Sequence, residues 1–365
     1  MNQDLLRQYA EESFNTELKA LIKFDDHEKP RNWQLSPASV LTYILGGKLS
    51  DGSVIEPKYF GSRRLIEIAI ATLATDRGLL LVGIPGTAKT WVSEHLCAAI
   101  SGDSKLIIQG SSGTGEEHFK YSWNYARLLQ EGPSEKAIVP SPVMMAMKKG
   151  NIVRIEELTR IPSDIQDALI GILSEKSMAI PELDMIIRAV RGFNIIATAN
   201  QKDKGINELS SALQRRFNIV HMPPPPTLEE EIRIVKHRVA ALNQEFKLPA
   251  KKLINQDIEK LVTIFRELRQ GKTQDGETKL KSPSATLSTA EAISTINNSL
   301  TLGTYFPENK AENDYLAASL LGTVMKNTQI DLPVFEEYLE TVVKCRKEWD
   351  GLYKSCKQLL KDWGK

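Results

Sequence analysis

Residues 79–101 read LLLVGIPGTAKTWVSEHLCAAIS. The apolar run LLLV predicts a buried strand, and the residues after Thr90 show the spacing of a helix. Between them, GIPGTAKT matches the glycine-rich loop whose backbone N–H groups cradle phosphates where a strand turns into a helix. In such a loop Lys89 reaches the β- and γ-phosphates of a nucleotide, and the Thr90 hydroxyl ligates Mg²⁺. This stretch therefore predicts a nucleotide-binding α/β fold.

One loop position departs from the usual pattern. Ala88 stands where a glycine normally precedes the lysine, and an alanine is tolerated there if its φ is negative. The alternative interpretation of the whole segment is a glycine-rich turn between any strand and helix. The predicted nucleotide contacts in the loop are Gly83, Pro85, Gly86, Thr87, Ala88, Lys89 and Thr90.

Four further apolar runs alternate with helical patterns as far as His221: KLIIQ, NIVRI, FNIIATA and FNIVHM. Together with LLLVG they predict a five-stranded parallel sheet covered by helices. The run PPPP at 223–226 continues neither a strand nor a helix and predicts a hinge. We expect an N-terminal helical appendage at 1–57, a P-loop α/β domain at 58–226 and a small all-α lid domain at 227–365.

Composition restricts the possible partners and the location. The 365 residues include 47 Lys plus Arg and 46 Asp plus Glu, so no net charge draws the chain to nucleic acid or an anionic membrane. Cys97, Cys345 and Cys356 fit neither a disulfide framework nor a zinc site, which favours a reducing cytosol. With no apolar run of membrane-spanning length and no signal-peptide pattern at the start, the chain is expected to be soluble and cytoplasmic.

Two adjacent acids end the strand NIVRI. Because consecutive strand residues point to opposite sides, Glu156 and Glu157 are expected to have different roles. We assign Glu156 to the Mg²⁺ shell and Glu157 to the activation of the attacking water. An acidic strand end that caps a helix is the alternative. Asn200, at the end of IIATAN, is the candidate sensor of the water or the γ-phosphate, although such a residue on its own is more often part of a turn.

The ordered set GIPGTAKT, IVRIEELTR, IIATAN and LSSALQRRF resembles the MoxR family of AAA+ ATPases over about residues 58 to 300. The resemblance implies an AAA+ core with two additions. One is a β-hairpin at 176–192, inserted before the sensor strand. The other is an insertion at 110–142, by the second helix. The apolar, turn, apolar pattern of 176–192 predicts a hairpin independently.

The same resemblance implies an arginine finger that acts across a subunit boundary. Position matching in QRRF selects Arg216, with Arg215 as the second choice, because a fixed guanidinium offsets the charge that develops in phosphoryl transfer. A solvated pair of surface arginines is the alternative. Phe60 and Gly61, after Tyr59, match the region where related ATPases hold adenine, and an aromatic lead-in to a helix is an equal interpretation.

Two further positions qualify the resemblance. The Ser-Pro-Arg pattern of the second sensor aligns with 282–284, where Ser284 replaces the arginine. Either another base such as Lys281 substitutes, or closure of the lid on the nucleotide is weak. Arg160 matches a family arginine near the nucleotide, and a surface salt bridge is an equal interpretation.

The resemblance implies a chaperone-like motor that uses ATP and Mg²⁺, forms a homo-oligomeric and hexameric ring, and remodels a protein client, with a von Willebrand factor A domain protein as a possible partner. One alternative is a nucleotide-switched scaffold with slow turnover. Another is a DNA-associated motor that uses Arg188 and Arg191 on the hairpin, although two arginines in a neutral chain are ordinarily solvated.

The tail from Lys344 predicts an amphipathic helix. Its apolar residues are Trp349, Leu352, Tyr353, Cys356, Leu360 and Trp363. We expect this helix to fold onto its own lid domain, and a partner-docking surface is the alternative.

Overall fold

The computed structural model of the protein describes residues 5–200, 207–246, 255–284, 286–307 and 312–363. The chain divides into two compact units. The first comprises Met1–Ile84 and Ala88–Pro223, and the second comprises Pro224–Lys365 together with Pro85–Thr87. Among the described residues, no helix has both the length and the apolar character needed to cross a bilayer.

The first unit begins with short elements. These are α1 (Ala10–Ser13), α2 (Asn15–Phe24), α3 (Pro37–Leu45), β1 (Gly47–Lys48) and β2 (Val54–Ile55). Helix α3 begins after Ser36, whose hydroxyl accepts a hydrogen bond from the Ser39 N–H, and Pro37 occupies its first turn. The turn-rich stretch after α3 contains an antiparallel strand pair that the sequence analysis missed.

The remaining elements of this unit follow in chain order: α4 (Arg63–Leu73), β3 (Gly78–Gly83), α5 (Lys89–Ser101), β4 (Ile107–Gln109), β5 (Tyr121–Trp123), α6 (Tyr125–Glu131), β6 (Ile138–Pro140), α7 (Pro142–Lys149), β7 (Ile152–Glu156), α8 (Ser163–Gln166), α9 (Ala168–Glu175), β8 (Ser177–Ile180), β9 (Met185–Arg188), β10 (Asn194–Asn200), α10 (Ser211–Gln214) and β11 (Phe217–His221). Five of these strands form one sheet in the order β11-β3-β10-β7-β4. All four pairings in it are parallel, which confirms the predicted α/β fold with a five-stranded parallel sheet.

Both faces of the sheet are buried. Along β3, Leu79 and Leu81 pack into one apolar core and Leu80 packs into another on the opposite face. This alternation follows from the two-residue period of a strand. The first core also contains Leu21 and Tyr43, from α2 and α3. The N-terminal residues therefore share the core of the sheet.

Two hairpins, besides the β1–β2 pair, stand apart from the five-stranded sheet. Strands β8 and β9 pair antiparallel around a turn at Pro181–Leu183, as the pattern of 176–192 predicts. Strands β5 and β6 form a second antiparallel pair within the insertion at 110–142, with α6 between them.

The second unit is built of helices in the part that the structure describes, as predicted. They are α11 (Leu228–Glu245), α12 (Asn255–Gln270), α13 (Thr289–Tyr305), α14 (Glu312–Val324), α15 (Thr328–Thr341) and α16 (Asp350–Trp363). Leu352, Cys356 and Leu360 of α16 are buried in the core of this unit. The tail thus folds onto its own helical domain, as expected; the side chain of Trp363 lies outside the described residues.

Candidate nucleotide-binding site

The glycine-rich loop connects the end of β3 to the start of α5, the position its sequence predicts. The Lys89 ammonium donates hydrogen bonds to the carbonyl oxygens of Gly83 at 3.0 Å and Ile84 at 2.8 Å. Lys89 is therefore folded back over the first residues of the loop and is 8% exposed. Two carbonyl acceptors satisfy part of the hydrogen-bonding capacity of a buried ammonium, in the place where phosphate oxygens would be held.

Ala88 adopts a backbone conformation that the sequence analysis did not anticipate. Its φ is 62° and its ψ is 19°, in the left-handed region, whereas a strain-free alanine requires a negative φ. The left-handed conformation costs a non-glycine residue roughly 1–2 kcal/mol. Gly86 also has a positive φ, of 80°. Left-handed residues in a turn help to direct neighbouring backbone N–H groups toward a common point, which suits an anion.

Glu156 lies at the end of β7 and is 2% exposed. Its carboxylate accepts hydrogen bonds from the hydroxyls of Thr90 at 2.8 Å, Ser93 at 2.6 Å and Thr198 at 2.7 Å. The Arg154 guanidinium donates a further bond at 3.2 Å. This network joins β7 to α5 and to β10, and it orients the buried acid toward the first turn of the loop helix.

The donor set around Glu156 fits a divalent metal. The Thr90 hydroxyl and the Glu156 carboxylate, the two predicted ligands, lie in direct contact. Both supply hard oxygen atoms, the type that Mg²⁺ prefers, and such sites ordinarily complete their coordination with phosphate and water. Aspartate is the more usual acid at the position of Glu156 in such sites, and the longer side chain of glutamate still makes the contact with Thr90.

Glu157 has different surroundings from Glu156. It adopts a left-handed conformation with φ 56°, and its N–H donates to the Thr198 hydroxyl at 3.0 Å. Its carboxylate forms an ion pair with Arg160 at 2.6 Å, and the two side chains are 35% and 51% exposed. Strained backbone at a strand end is typical of functional positions. The surface salt bridge that the sequence left open for Arg160 is therefore present, and its partner is the predicted catalytic base.

Asn200 ends β10, where it is paired in register with Gly83 of β3. Neighbouring strands lie about 4.8 Å apart, so Asn200 is adjacent to the start of the glycine-rich loop. It is half-buried. The structure thus brings Lys89, Thr90, Glu156 and Asn200 to the same edge of the sheet, the carboxyl ends of parallel strands, where α/β proteins bind ligands.

The predicted adenine region lies beside the loop helix. The Trp91 indole, in the first turn of α5, donates a hydrogen bond to the Lys58 carbonyl at 2.9 Å. Phe60 is half-buried and Gly61 is exposed. A Cβ atom on Gly61 would come within 2.5 Å of the Tyr59 hydroxyl, so the close approach of that ring requires glycine here. Through the contact of Trp91 with Lys58, the segment that contains Phe60 and Gly61 lies near the loop helix. Their contact with adenine stays a prediction.

Arg216 lies far from the glycine-rich loop of its own chain. Its carbonyl accepts a hydrogen bond from the N–H of Gly78, the first residue of β3. The loop follows the last residue of β3, about 16 Å along the strand. The Arg216 guanidinium donates to the Ser174 hydroxyl at 2.5 Å and to the Ala212 carbonyl at 2.6 Å. The neighbouring Arg215 is exposed.

Ser284, which stands at the position of the second-sensor arginine, forms its hydrogen bonds within the helical unit. The N–H and hydroxyl of Ser284 donate to the two carboxylate oxygens of Asp331 at 2.7 and 2.9 Å. Burial opposes ionisation of Asp331, but backbone donors of Asn327 and Ser284 hold its pKa below the usual value. Lys281, the possible substitute, is 70% exposed and pairs with Glu337 at 2.6 Å.

The hairpin arginines Arg188 and Arg191 are both exposed, and Arg188 lies opposite Ser177 in the β8–β9 pair.

Three contacts of Glu156 were missed by sequence reasoning: Ser93, Arg154 and Thr198. For Ser93 and Arg154, the spacing in the sequence carries a signal. Ser93 follows Thr90 by three residues on one helix face, and Arg154 precedes Glu156 by two residues on one strand face.

The fold and these residues define a P-loop ATPase of the AAA+ class. The sequence model of the AAA domain of the dynein-related subfamily matches residues 78–217. The model of the YehL-like AAA+ ATPase C-terminal domain matches residues 229–361.

The chain is 39% identical over 360 residues to the uncharacterized protein YehL of Escherichia coli (strain K12), covering 97% of this chain and 98% of that relative. The chain therefore belongs to the YehL-like family of AAA+ ATPases. An uncharacterized protein of Staphylococcus aureus (strain USA300) is 28% identical over 155 residues, which are 42% of this chain and 58% of that relative. NtrX from Brucella abortus, in complex with ADP, is 14% identical, with a TM-score of 0.48 and coverage of 84% of this chain and 70% of that one.

Proposed function

We propose that this chain is a Mg²⁺-dependent, MoxR-like ATPase that forms a hexameric ring and uses ATP hydrolysis to remodel or activate partner proteins. The observation that carries the proposal is the contact between Thr90 and Glu156 beside a second, partly exposed acid, Glu157. The buried acid is placed to hold the metal beside the loop hydroxyl, and the accessible acid is placed to act on the attacking water; metal-assisted phosphoryl transfer uses both roles.

The described residues support a role for each group. Lys89 exchanges its two carbonyl acceptors for the β- and γ-phosphates when nucleotide binds. Thr90 and Glu156 hold Mg²⁺, which supplies positive charge against the phosphates. Glu157 accepts the proton of the attacking water, and Asn200 orients that water from the adjacent strand end. Phe60 and Gly61 contact the adenine.

The ring belongs to the proposal because of where Arg216 lies. Its guanidinium is at the amino end of the sheet, the end opposite the loop, so it cannot serve the nucleotide of its own chain. We assign it to the site of a neighbouring subunit, where a fixed positive charge stabilises the transition state. The expected partners are copies of this chain, a protein client and a von Willebrand factor A domain protein. The expected location is the cytoplasm, and the three cysteines are free.

The pairing of Glu157 with Arg160 favours a second candidate, a nucleotide-switched scaffold with slow turnover. The ion pair occupies a carboxylate oxygen of Glu157 that would otherwise accept a hydrogen bond from the attacking water. If Arg160 keeps this contact after ATP binds, the chain would bind ATP tightly and hydrolyse it slowly.

A phosphate-release assay alongside an ATP-binding measurement tests both candidates. Glu157→Gln should leave ATP affinity intact and lower turnover about a hundredfold or more, since the amide keeps the shape but cannot accept a proton. Glu156→Gln is the matched control, because it alters the neighbouring acid and should weaken Mg²⁺-dependent binding instead. The two roles are exchanged if Glu156→Gln gives the trapped state and Glu157→Gln turns over normally. Tight ATP binding with negligible wild-type turnover would select the scaffold.

A further inference from the structure

A pocket of about 580 Å³ lies between the insertion at 110–142 and the hairpin at 176–192, against helix α9. Strand β5 contributes Tyr121 and Trp123, and the hairpin turn contributes Glu182. None of these residues has a part in the nucleotide chemistry described above. We call this cavity the insertion pocket.

The walls of the insertion pocket are aromatic and its base is apolar. Tyr121 and Trp123 are two residues apart on β5, so their side chains share one face of the strand. Their ring centroids lie 5.8 Å apart in an edge-to-face arrangement, and both rings are half-buried. Ile172 of α9 and Met178 of β8 are buried and line the same cavity. Exposed faces of aromatic rings attract cations.

The polar groups of the insertion pocket carry an excess of negative charge. Its lining includes three carboxylates, those of Glu116, Glu117 and Glu182, and one ammonium, that of Lys120. Lys120 is paired with Glu116 at 2.7 Å. Two negative charges therefore remain in the lining, from Glu117 and Glu182.

Glu182 is held in place by the aromatic wall. Its carboxylate accepts a hydrogen bond from the Tyr121 hydroxyl at 2.6 Å. This bond and the backbone N–H of Glu182 itself lower the pKa of Glu182, so it is ionised at neutral pH. Partial burial and the neighbouring Glu182 raise the pKa of Tyr121 to about 12, so Tyr121 remains a donor. The insertion and the hairpin thus present a fixed anion beside two rings.

We propose that the insertion pocket binds a lysine or arginine side chain of an extended client polypeptide. A long basic side chain matches the cavity, because its methylene stem packs on Ile172 and Met178 while its charge meets Glu182 and the aromatic faces. The same carboxylates repel phosphate groups, which disfavours nucleic acid at this site. The inference rests on the proposed function in that it names the class of polypeptide on which the ATPase acts.

Binding of short unstructured peptides to the full chain tests this proposal. The probe alternates lysine and leucine, and the comparison peptides replace each lysine by acetyl-lysine or by glutamate. Affinity is measured by calorimetry with the ATP-bound Glu157→Gln chain and with the nucleotide-free wild type. The lysine peptide should bind, and the acetylated and acidic peptides should bind much more weakly.

Variants of the insertion pocket then locate the binding. Glu182→Gln should weaken binding of the lysine peptide about fivefold, the size of effect expected for one accessible charge pair. The double variant Glu117→Gln, Glu182→Gln should weaken it further. Glu131→Gln removes an exposed carboxylate of α6, in the same insertion but outside the pocket, and should leave affinity unchanged. The Glu182→Lys variant should bind the acidic peptide more tightly than the lysine peptide, the reverse of the wild-type preference.

The proposal is overturned if the lysine peptide binds the Glu182→Gln variant and the Glu117→Gln, Glu182→Gln double variant as tightly as it binds the wild type. It is also overturned if the acidic peptide binds the wild type as tightly as the lysine peptide does. Far-ultraviolet circular dichroism verifies that each variant is folded, and Glu182 lies in an exposed turn. ATP hydrolysis is measured on the same wild-type sample. Hydrolysis without peptide binding removes this inference and leaves the proposed ATPase, whereas peptide binding without hydrolysis removes the ATPase activity and leaves the pocket.

Discussion

The two ends of the parallel sheet differ in what they hold. At the carboxyl end, Thr90, Glu156 and Thr198 are joined by short hydrogen bonds, and Asn200 lies in register with the first loop residue. At the amino end, Arg216 is held by Ser174 and by a backbone carbonyl of its own helix. One end is a preorganised constellation of acids and hydroxyls, and the other is an isolated, positioned guanidinium.

This difference follows from how parallel strands are connected. Every strand runs the same way, so residues at the ends of β3, β7 and β10 meet at one edge even though they are far apart in sequence. Arg216 precedes β11 and must lie at the other edge, because Phe217 pairs with Gly78. The topology therefore separates the guanidinium from the acids within a subunit. In the proposed ring, a neighbouring subunit would bring the two kinds of group together.

Lys89→Ala tests the carboxyl end and should have the largest effect of the substitutions considered. ATP affinity should fall about a hundredfold or more, since charge-assisted contacts contribute about 1.5–3 kcal/mol each and the proposed role of the lysine is to contact two phosphates. Turnover should fall below detection. Fluorescent-nucleotide titration and phosphate release measure the two quantities. Unchanged binding and turnover would remove the assignment of 83–90 as the phosphate loop.

Arg216→Ala tests the amino end. It should lower turnover about a thousandfold and leave ATP affinity nearly unchanged, because a finger acts on the transition state. Arg215→Ala is the matched control on the adjacent, exposed residue, and it should change turnover little. Steady-state hydrolysis and nucleotide titration of both variants separate the two effects. A large effect of Arg215→Ala with a small effect of Arg216→Ala would transfer the role to Arg215.

Mixing the two inactive variants decides whether the two ends cooperate within or between subunits. Lys89→Ala subunits retain Arg216, and Arg216→Ala subunits retain the phosphate loop, so mixed rings should recover part of the lost hydrolysis. Mass measurement verifies that the variants assemble together. Co-assembly without recovered hydrolysis would show that the finger is not Arg216 or does not act between subunits.

Much of the carboxyl end could be predicted from the sequence, because its signals are local. The phosphate loop stands between an apolar strand pattern and a helix pattern, and the five apolar runs became the five strands of the sheet. The placement of Arg216 at the other edge follows from the same strand pattern. Contacts between residues that are far apart in the sequence left weaker signals in it. The hydrogen bonds of Thr198 to Glu156 and Glu157 join positions separated by 42 and 41 residues, which no local period reveals.

The insertion pocket and the conformation of Ala88 could not be predicted for different reasons. Tyr121 and Glu182 are 61 residues apart, and their contact depends on how two hairpins pack, which neither hairpin pattern specifies. At Ala88 the sequence suggested a negative φ, because alanine avoids the left-handed region. The geometry of the loop overrides that local preference, as often happens at functional sites.

Ala88→Gly tests the left-handed backbone conformation of the phosphate loop at the carboxyl end, and it should have the smallest effect of the substitutions. Glycine removes the left-handed cost of about 1–2 kcal/mol but loses about 0.5–1 kcal/mol to greater freedom of the unfolded chain, so the free energy of unfolding should rise by up to about 1 kcal/mol. ATP affinity should stay within about twofold, because the backbone that cradles the phosphates is unchanged. Ala98→Gly is the matched control: the same exchange in the interior of α5, where Ala98 is buried, should destabilise by about 1 kcal/mol or more. Urea titrations of both variants measure the two changes. Equal destabilisation by the two substitutions would mean that Ala88 does not occupy the left-handed region, and the inferred turn of the loop N–H groups toward phosphate would then fail at that residue.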